Sequence, residues 1–362
     1  MSFAGAIAAA KPDLVVPCDD LATQHLHHLY YRELVHGNAG GLLCGLLERS
    51  LGSPESFSLV HARAKFMELA GQEGVRAPKT QVIKDTNDLR HWIEAMGFPT
   101  VLKTNGSSGG YGVRVINTME EAERAFHALK APPLMARAVK RAVIDGDWTL
   151  VWPSIRRRLS VVNAQDYVPG REATSAAACW KGAVLAVVHF EVLSKMDPTG
   201  PATVLRRFEH PEMSGSIEKM VRRLNLSGIH GFDFMLEANT GNACLIEINP
   251  RAPQVGHLTF GLGRDLPAAL YSAVSGHDIH ASDKVTDNDT IALFPHEWMR
   301  DPLSQVLQSG YNDVPWEEPG LLAACVRKPV KRGAWHLQKN RTQTRSAAQV
   351  PRVKNLVEKP HA

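Results

Sequence analysis

The sequence predicts an α+β fold, and three features of its pattern indicate it. Segments with apolar residues three and four positions apart, typical of helices, occur between segments that alternate like strands. A glycine-rich loop at 105–112 joins two strands and opens no helix. A turn signal at 239–242, Asn-Thr-Gly-Asn, joins two further alternating segments into a hairpin. No internal repeat is visible, and this mixture of elements indicates an α+β architecture.

The elements follow one another along the whole chain. Helical patterns lie at 3–10, 21–35, 61–74, 85–97, 119–130 and 210–227. Strand patterns lie at 13–20, directly after Pro78, at 98–104, at 113–116, and on either side of Lys181-Gly182. Thr118 and Glu121 form a capping-box pattern that opens the helix at 119–130.

Length and composition describe an ordinary globular chain. A chain of 362 residues with 44% hydrophobic residues is expected to hold two or three domains. The longest apolar runs fall far short of the roughly 20 residues that span a bilayer, so no membrane partner is predicted. The five cysteines are scattered without Cys-x-x-Cys spacing, which predicts reduced thiols, no zinc site and a cytoplasmic location. His25, His27 and His28 are spread around one helix, so a surface or half-buried position is favoured over a metal site.

The charge is distributed unevenly. Residues 327–362 carry ten Lys or Arg and one acid, a balance of +9. Since the net charge is +4, the rest of the chain carries −5. The tail lacks apolar periodicity, which predicts a disordered or loosely attached segment. A solvated tail is favoured over one that binds nucleic acid or an anionic surface.

Lys103 and the loop that follows it predict a phosphate-binding site of an unusual kind. Lys103 precedes Gly106, Gly109, Gly110 and Gly112, and a strand follows the loop. A P-loop places its lysine after the glycines and continues into a helix, and a dinucleotide fold also needs a helix there. Both familiar motifs are therefore excluded. A lysine followed by a glycine loop between two strands requires another explanation.

The hairpin at 231–251 predicts a metal site. With a period of two, Asp233 and Met235 share one face of the first strand, and Glu247, Asn249 and Arg251 share one face of the second. A turn centred near residue 240 sets Asp233 opposite Glu247, a costly pairing of like charges unless a cation lies between them. Two carboxylates and an amide oxygen suit magnesium. Met235 could pack against an adenine, and Arg251 could bind phosphate. The alternative is a solvent-facing polar side of the hairpin.

These motifs, in this order, resemble the ATP-grasp superfamily, in the branch of biotin carboxylase and the carbamoyl-phosphate synthetase large chain. The resemblance runs from about residue 60 to 270 and implies two α+β lobes that clasp ATP. It implies a partial Rossmann-like domain at 1–60, a small lobe at 61–135, a large lobe at 136–325 and a basic tail at 326–362. In the family the lysine and the glycine loop bind the triphosphate, as amide nests bind anions. Ser107 and Ser108 stand where glycines are usual.

The resemblance also implies roles for individual residues. A Lys or Arg about eleven residues before Gly74 corresponds to Arg63, in preference to Lys65. The magnesium (or manganese) ligands correspond to Asp233, Glu247 and Asn249, and the phosphate-contacting arginine to Arg251. The implied ATP-binding residues are Arg63, Lys103, Gly106, Ser107, Ser108, Gly109, Gly110, Gly112, Arg137, Val139 and Met235, and the implied catalytic residues are Arg251 and Lys103.

Three departures from the family pattern stand out. The hinge reads Arg137-Ala138-Val139 where Gln-Glu-aromatic is usual, which leaves Asp145 or Asp147 as ribose contacts. The chain begins within the N-terminal domain, so about fifty residues of that domain are expected to be missing. Gly256 stands where biotin carboxylases carry their general base, and no Ala-Met-Lys-Met motif occurs, so carboxylation of biotin is not predicted.

The function implied by the resemblance is an ADP-forming ligase that joins a carboxylate to an amine or a thiol through an acyl phosphate. Its partners would be these small molecules, and a homo-oligomer is left open. Two alternatives remain: an ATP-binding protein without ligase activity because its N-terminal domain is incomplete, and a kinase on the same fold. His257 and Arg264 could face the substrate or serve the structure, and the basic run at 156–160 is favoured as a solvated strand edge.

Overall fold

The computed structural model describes residues 2–38, 40–106, 109–110, 112–132, 151–156, 159–278 and 282–327, together with residues 135, 139 and 143. The chain divides into a compact unit of Met1–Val314 and a second unit of Pro315–Ala362, of which a helix at Pro319–Arg327 is described. Among the helices of the described residues, none has both the length and the apolar character that crossing a membrane requires. The basic tail predicted at 326–362 lies almost wholly outside the described residues.

The first sixty residues contain three helices, α1 (Phe3–Ala10), α2 (Asp20–Val35) and α3 (Leu42–Leu51), and a 3₁₀ turn at Pro54–Ser56. The prediction of a buried strand at 13–20 is wrong: residues 13–18 form no strand. Their backbone forms isolated hydrogen bonds instead of a ladder: the Val15 amide donates to Ser50 Oγ, and the Pro17 carbonyl accepts from the Ala252 amide. Pro17 has no amide to donate to a ladder.

The small lobe is built on an antiparallel sheet of order β1-β4-β2-β3. Its elements are α4 (Arg63–Gln72), β1 (Thr80–Ile83), α5 (Thr86–Met96), β2 (Thr100–Thr104), β3 (Val113–Ile116), α6 (Met119–Lys130) and β4 (Val162–Asp166). As predicted, the glycine loop joins two strands, β2 and β3. The capping box is also confirmed, because Thr118 Oγ1 accepts from the Glu121 amide. The sheet includes β4, which follows the predicted lobe boundary at residue 135.

The large lobe is built on a seven-stranded sheet of order β11-β10-β7-β6-β5-β8-β9. Its strands are β5 (Gly170–Trp180), β6 (Ala183–Lys195), β7 (Ala202–Phe208), β8 (Gly228–Glu237), β9 (Ala243–Asn249), β10 (Thr290–Leu293) and β11 (Tyr311–Asp313). The helices that follow α6 are, in chain order, α7 (Val151–Ile155), α8 (Pro211–Leu224), α9 (Leu266–Ser275), α10 (His296–Arg300) and α11 (Val306–Ser309); α12 (Pro319–Arg327) is the helix of the second unit.

The two faces of this sheet pack differently. Residues of α4 and α8, with Phe232 and Phe234 of β8, form a continuous buried core on one face. Part of the other face packs against a 3₁₀ turn at Gln254–His257 and α9. Each large apolar side chain buried in this way contributes about 1.5–3 kcal/mol. The remaining part of that second face, at the ends of β5, β8 and β9, carries polar side chains.

A β-bulge interrupts the hairpin of β8 and β9. On the turn side of the bulge, Phe234 pairs with Leu245. On the other side, Asp233 pairs with Glu247, so Ile246 is the extra residue of β9. The predicted pairing of Asp233 with Glu247 is therefore confirmed, and the bulge sets it.

The bulge also decides which face each side chain of β9 occupies. Leu245 and Ile248 both lie in the core beneath α8, although strict alternation would place them on opposite faces. An extra residue reverses the alternation beyond it. Glu247 and Asn249 therefore lie on the polar face with Asp233.

Two glycines fasten the N-terminal helices to the large lobe. Gly52 follows α3 with φ of 95° and forms an isolated bridge with Leu226, which precedes β8. A Cβ on Gly52 would lie 2.4 Å from the Asn225 carbonyl oxygen, and a Cβ on Gly228 (φ 94°) would lie 2.6 Å from the Ser50 carbonyl oxygen. Both positions require glycine, because backbone atoms cannot yield as flexible side chains can.

We expect Gly52→Ala to lower the free energy of unfolding by about 2 kcal/mol or more, from its positive φ and the backbone clash. The matched control is Gly45→Ala in α3, where a Cβ meets nothing within 4 Å. That change should stabilise the chain by about 0.5–1 kcal/mol, since alanine favours a helix interior. Urea denaturation of both variants measures the difference, and equal effects would contradict the tight junction.

Candidate active site

The polar face of the large sheet brings together the predicted metal ligands. Asp233 lies directly opposite Glu247 on β8 and β9. Asp233 accepts two hydrogen bonds, from Thr174 Oγ1 on β5 at 2.8 Å and from Asn249 Nδ2 at 2.8 Å. The carboxylate is therefore held in place from both neighbouring strands.

Two basic residues of the small-lobe side meet this carboxylate pair. Arg63, the first residue of α4, places Nη2 2.7 Å from Glu247 Oε1 and donates from Nε to the Thr104 carbonyl at 3.0 Å. It thus joins β9 to the end of β2. Lys103, on β2, is 6% exposed, and the charges of Glu247 and Asp233 act on it.

The glycine loop starts one residue after β2 ends. Gly106, Gly109 and Gly110 have φ of 67°, 62° and 77°, values that favour glycine. The Gly112 carbonyl accepts from Thr104, which closes the loop at its base. At Gly110 a Cβ would lie 1.6 Å from the Thr199 carbonyl oxygen, so the loop touches the turn between β6 and β7. Ser107 and Ser108 lie outside the described residues.

The pKa values of the two carboxylates of the pair are shifted in opposite directions. Burial raises the pKa of Asp233, and the negative charge of Glu247 raises it further, against the hydrogen bonds from Thr174 and Asn249. Burial would also raise the pKa of Glu247, but the charge and hydrogen bond of Arg63, with the charge of Lys103, outweigh it and hold that pKa below its usual value. Of the two carboxylates, Glu247 is thus the one whose ionised form the neighbouring positive charges stabilise more.

Burial lowers the pKa of Lys103 to about 8. The positive charge of Arg63 acts in the same direction, while Glu247, Asp233 and Glu172 oppose it. At neutral pH the ammonium is retained because these carboxylates surround it.

A cleft lies beside this cluster. Its lining combines the N-terminal segment, α4, the glycine loop and the end of β9, through Asp20, Gln24, Val60, His61, Arg63, Phe66, Met67, Gly106, Glu247, Ile248 and Pro250. The empty space, including the part open to solvent, is about 440 Å³. The lining carries both negative side chains, Asp20 and Glu247, and a positive one, Arg63, and it leaves room for a polar ligand next to the carboxylate pair.

Residues 64–254, more than half of the chain, match the family model described as the ATP-grasp domain. The chain belongs to the ATP-grasp family. The resemblance found in the sequence is thus confirmed, and so is the α+β ATP-grasp fold. The partial Rossmann-like domain predicted at 1–60 is not confirmed, since the described residues there form helices and turns.

Known proteins resemble the chain over part of their length. Formate-dependent phosphoribosylglycinamide formyltransferase of Synechocystis is 29% identical over 33% of this chain and 27% of its own length. The carbamoyl phosphate synthase large chain of Thermus thermophilus is 21% identical over 52% of this chain and 17% of its own length. Among solved structures, the fold resembles the biotin carboxylase domain of Hydrogenobacter thermophilus 2-oxoglutarate carboxylase, which was solved with MgADP, ADP and bicarbonate. The TM-score is 0.54 at 15% identity, and the match covers 77% of this chain and 57% of that chain. The chain therefore spans well under two thirds of each, and the structural likeness shows the fold.

The oxygen donors on this face of the large sheet fit magnesium. Asp233, Glu247 and Asn249 present carboxylate and amide oxygens on one face. Magnesium is commonly held by one or two carboxylates and substrate phosphates, with water completing the shell. Among the described residues no group of three or more His, Cys, Asp or Glu could hold a metal, so phosphate oxygens would have to complete this site.

Arg251 and the N-terminal segment meet in a contact that the sequence did not predict. Arg251 Nε lies 3.5 Å from Asp20 Oδ1 at the start of α2. The preceding acid, Asp19, caps the helix by accepting from the Ala22 amide. Asp19 and Asp20 are the last two residues of the segment wrongly predicted as a strand, and the folded chain brings Asp20 to the cleft.

Other residues that the sequence missed lie on the same sheet face or line the cleft. Lys195 on β6 pairs with Glu172 on β5 at 2.5 Å, and Glu172 acts on Lys103. His61 lines the cleft, and no motif indicated it. His27, expected at the surface or half buried, is 5% exposed, so that prediction is wrong.

The remaining predicted positions have mixed outcomes. Met235, half buried, pairs with Cys244 and lies two residues along β8 from Asp233. Val139 is 49% exposed, while Arg137, Asp145 and Asp147 lie outside the described residues, as do residues 157–158 of the basic run.

His257 and Arg264, left open between substrate and structural roles, each contact a carboxylate. His257 Nε2 lies 2.9 Å from Asp313 Oδ1, and Arg264 pairs with Glu209 at 2.7 Å. These contacts favour structural roles for both.

We expect Lys103→Met to stabilise the unliganded chain at pH 7. The shift of the Lys103 pKa from 10.5 to about 8 corresponds to on the order of 3 kcal/mol. The folded pKa is the lower one, so this cost is fully present below pH 8. It fades as pH rises toward 10.5, where the unfolded chain also loses the proton. The advantage of the variant over the parent should therefore shrink between pH 8 and pH 10.5.

Thermal or urea denaturation across this pH range measures that difference. Lys65→Met, which removes an exposed lysine from α4, is the control and should stay within about 0.5 kcal/mol of the parent. An advantage of Lys103→Met that does not change with pH would contradict the buried ammonium.

Proposed function

We propose that the chain is an ATP- and magnesium-dependent ligase that joins a carboxylate to an amine, or to a thiol, and releases ADP and phosphate. The observation that carries the proposal is the pairing of Asp233 with Glu247 directly beside Lys103 and Arg63. Carboxylates that can hold a cation, next to cations that can hold phosphate, are what phosphoryl transfer from a nucleotide requires. Family membership supports the same conclusion.

Lys103 and Arg63 would bind the triphosphate under the glycine loop. The amides of Gly109 and Gly110 would add donors, because positive-φ glycines turn successive N–H groups toward an anion. Asp233, Glu247 and Asn249 would hold magnesium, which supplies charge neutralisation at the phosphates when bound. Arg63 now pairs with Glu247, so nucleotide binding would exchange this partner for phosphate oxygens.

The reaction needs positioning and charge and no nucleophilic side chain. A carboxylate oxygen of the substrate attacks the γ-phosphorus of ATP, and ADP leaves with the electrons of the broken P–O bond. The amine nitrogen then attacks the acyl carbon, phosphate leaves, and the nitrogen loses a proton. Arg251 lies at the cleft beside Asp20, where its planar fork can stabilise charge on the transferring phosphoryl group.

Calorimetry of Mg-ATP binding tests the nucleotide site. Glu247→Gln should weaken binding by at least about tenfold, because the metal loses a charged ligand. Glu237→Gln is the matched control: it lies on β8 near the turn of the same hairpin, where it bonds Thr240, and it should bind as the parent does. If the folded parent shows no magnesium-dependent binding, the nucleotide assignment fails.

Arg251→Lys should leave Mg-ATP binding intact and lower turnover by about 10²–10³-fold, since lysine cannot replace the planar fork. Turnover can be followed as ATP-dependent hydroxamate formation from a panel of carboxylic acids with hydroxylamine as the amine. A stable phosphorylated product that ignores the amine would instead indicate a kinase. ATP binding without any turnover would indicate a binding protein.

A further inference from the structure

A second, smaller pocket lies beside the nucleotide cleft. It lies between the N-terminal helices and the start of β8, and its lining is Thr23, His27, Leu51, Ser56, Phe57, Val60, Leu226, His230 and Pro250. Val60 and Pro250 also line the nucleotide cleft, so the two spaces are neighbours. This side pocket is small, with room for about one water-sized group.

His230 lines the side pocket and has an unused hydrogen-bond acceptor. Its Nε2 lies 2.8 Å from the Ser227 carbonyl oxygen. A carbonyl only accepts, so Nε2 carries the proton and Nδ1 keeps its lone pair. His230 is 3% exposed, and its Nδ1 has no hydrogen-bond partner within the described part of the chain. A buried acceptor left unpaired is unfavourable, so a donor from a bound molecule would stabilise it.

The other polar groups of the side pocket are already engaged. The Thr23 hydroxyl donates to the Pro250 carbonyl at 3.0 Å, and the Ser56 hydroxyl donates to the Leu224 carbonyl. His27 stacks on Phe57 and contacts His61 Nε2 through Nδ1 at 3.1 Å. The donor that His230 lacks must therefore come from the occupant.

The side pocket carries no charge at neutral pH. Burial lowers the pKa of His27 to about 3, helped by His61, and burial lowers the pKa of His230 to about 4. Among the described lining residues there is no Asp, Glu, Lys or Arg. An ionised group brought in from water would lose its solvation without gaining a counter-charge, so a neutral group is favoured.

The side pocket is linked to the reaction cleft through His61. His61 contacts His27 on one side and lines the cleft with Arg63 and Glu247 on the other. A molecule whose reacting end lies at the carboxylate pair can therefore place a short arm past Val60.

We propose that the side pocket binds a small uncharged group of the substrate, a hydroxyl or an amide, which donates a hydrogen bond to Nδ1 of His230. The inference rests on the proposed ligase function, and it narrows the substrate to molecules with a neutral, donor-bearing arm. His230 acts here as a specificity-determining residue and takes no part in the chemistry.

The test is a titration of the chain labelled with ¹⁵N-histidine, in the presence of MgADP, with acetamide and with acetate. The two probes have the same shape, but only acetamide is neutral and can donate. Acetamide should shift the Nδ1 resonance of His230, assigned with His230→Gln or His230→Asn. Acetate should bind at this position at least about tenfold more weakly, a difference of about 1.4 kcal/mol.

His210 is the internal control. Its Nε2 lies 3.1 Å from the Gly241 carbonyl oxygen and its Nδ1 is buried without a partner in the described residues, as in His230. It lies at the turn end of the hairpin, away from the cleft, so neither probe should move its resonances.

A His230 resonance that ignores both probes, or responds equally to both, overturns the side pocket as a selective site. The first result is expected if an ordered water satisfies Nδ1 permanently. Calorimetry of MgADP on the same sample separates the two proposals. Normal nucleotide binding with no response of His230 removes the side pocket alone, whereas failure to bind MgADP removes the proposed function.

Discussion

Everything at this site depends on two carboxylates that face each other across one rung of a β-ladder. Asp233 and Glu247 repel, and partial burial removes much of the water that would screen them. The chain compensates from several directions, because Arg63 contacts Glu247 and Asn249 and Thr174 bond Asp233. The repulsion is therefore relieved in part within the sheet, by the hydrogen bonds to Asp233, and in part by Arg63, which joins Glu247 to the end of β2. The hairpin thereby helps to hold the start of α4 and the end of β2 in place.

The bulge at Ile246 makes this pair possible. Without an extra residue, the parity that buries Leu245 would also point Glu247 into the apolar core beneath α8. With it, β9 serves a hydrophobic core at its turn end and a charged site at its other end. A bulge next to a functional site is a common arrangement, since it redirects side chains without breaking the strand.

The sequence was most informative where the signal was local. A turn centred near residue 240 predicted the Asp233–Glu247 rung, and the glycines after Lys103 predicted a loop between strands. The bulge itself was not predicted. An unbroken ladder that pairs Asp233 with Glu247 would pair Phe234 with Ile246, whereas in the structure Phe234 pairs with Leu245. Residues 13–18 were misread because alternation and apolar character do not show whether a partner strand exists. The positions of Asp20, His27 and His61 at the site were not predictable, because they depend on contacts between residues far apart in the sequence.

The N-terminal helices therefore belong to the site as much as the two lobes do. Asp20 balances Arg251, Gln24 approaches Gly106, and His27 stands behind His61. All of these lie on α2 or contact it, and α2 packs on α3, which ends at the glycine junction with β8. Displacing Asp20 would leave Arg251 without this carboxylate partner, while the charge of Arg251 already acts on Glu247. The backbone junction at Gly52 and Gly228 thus protects an electrostatic arrangement that the sheet could not maintain by itself.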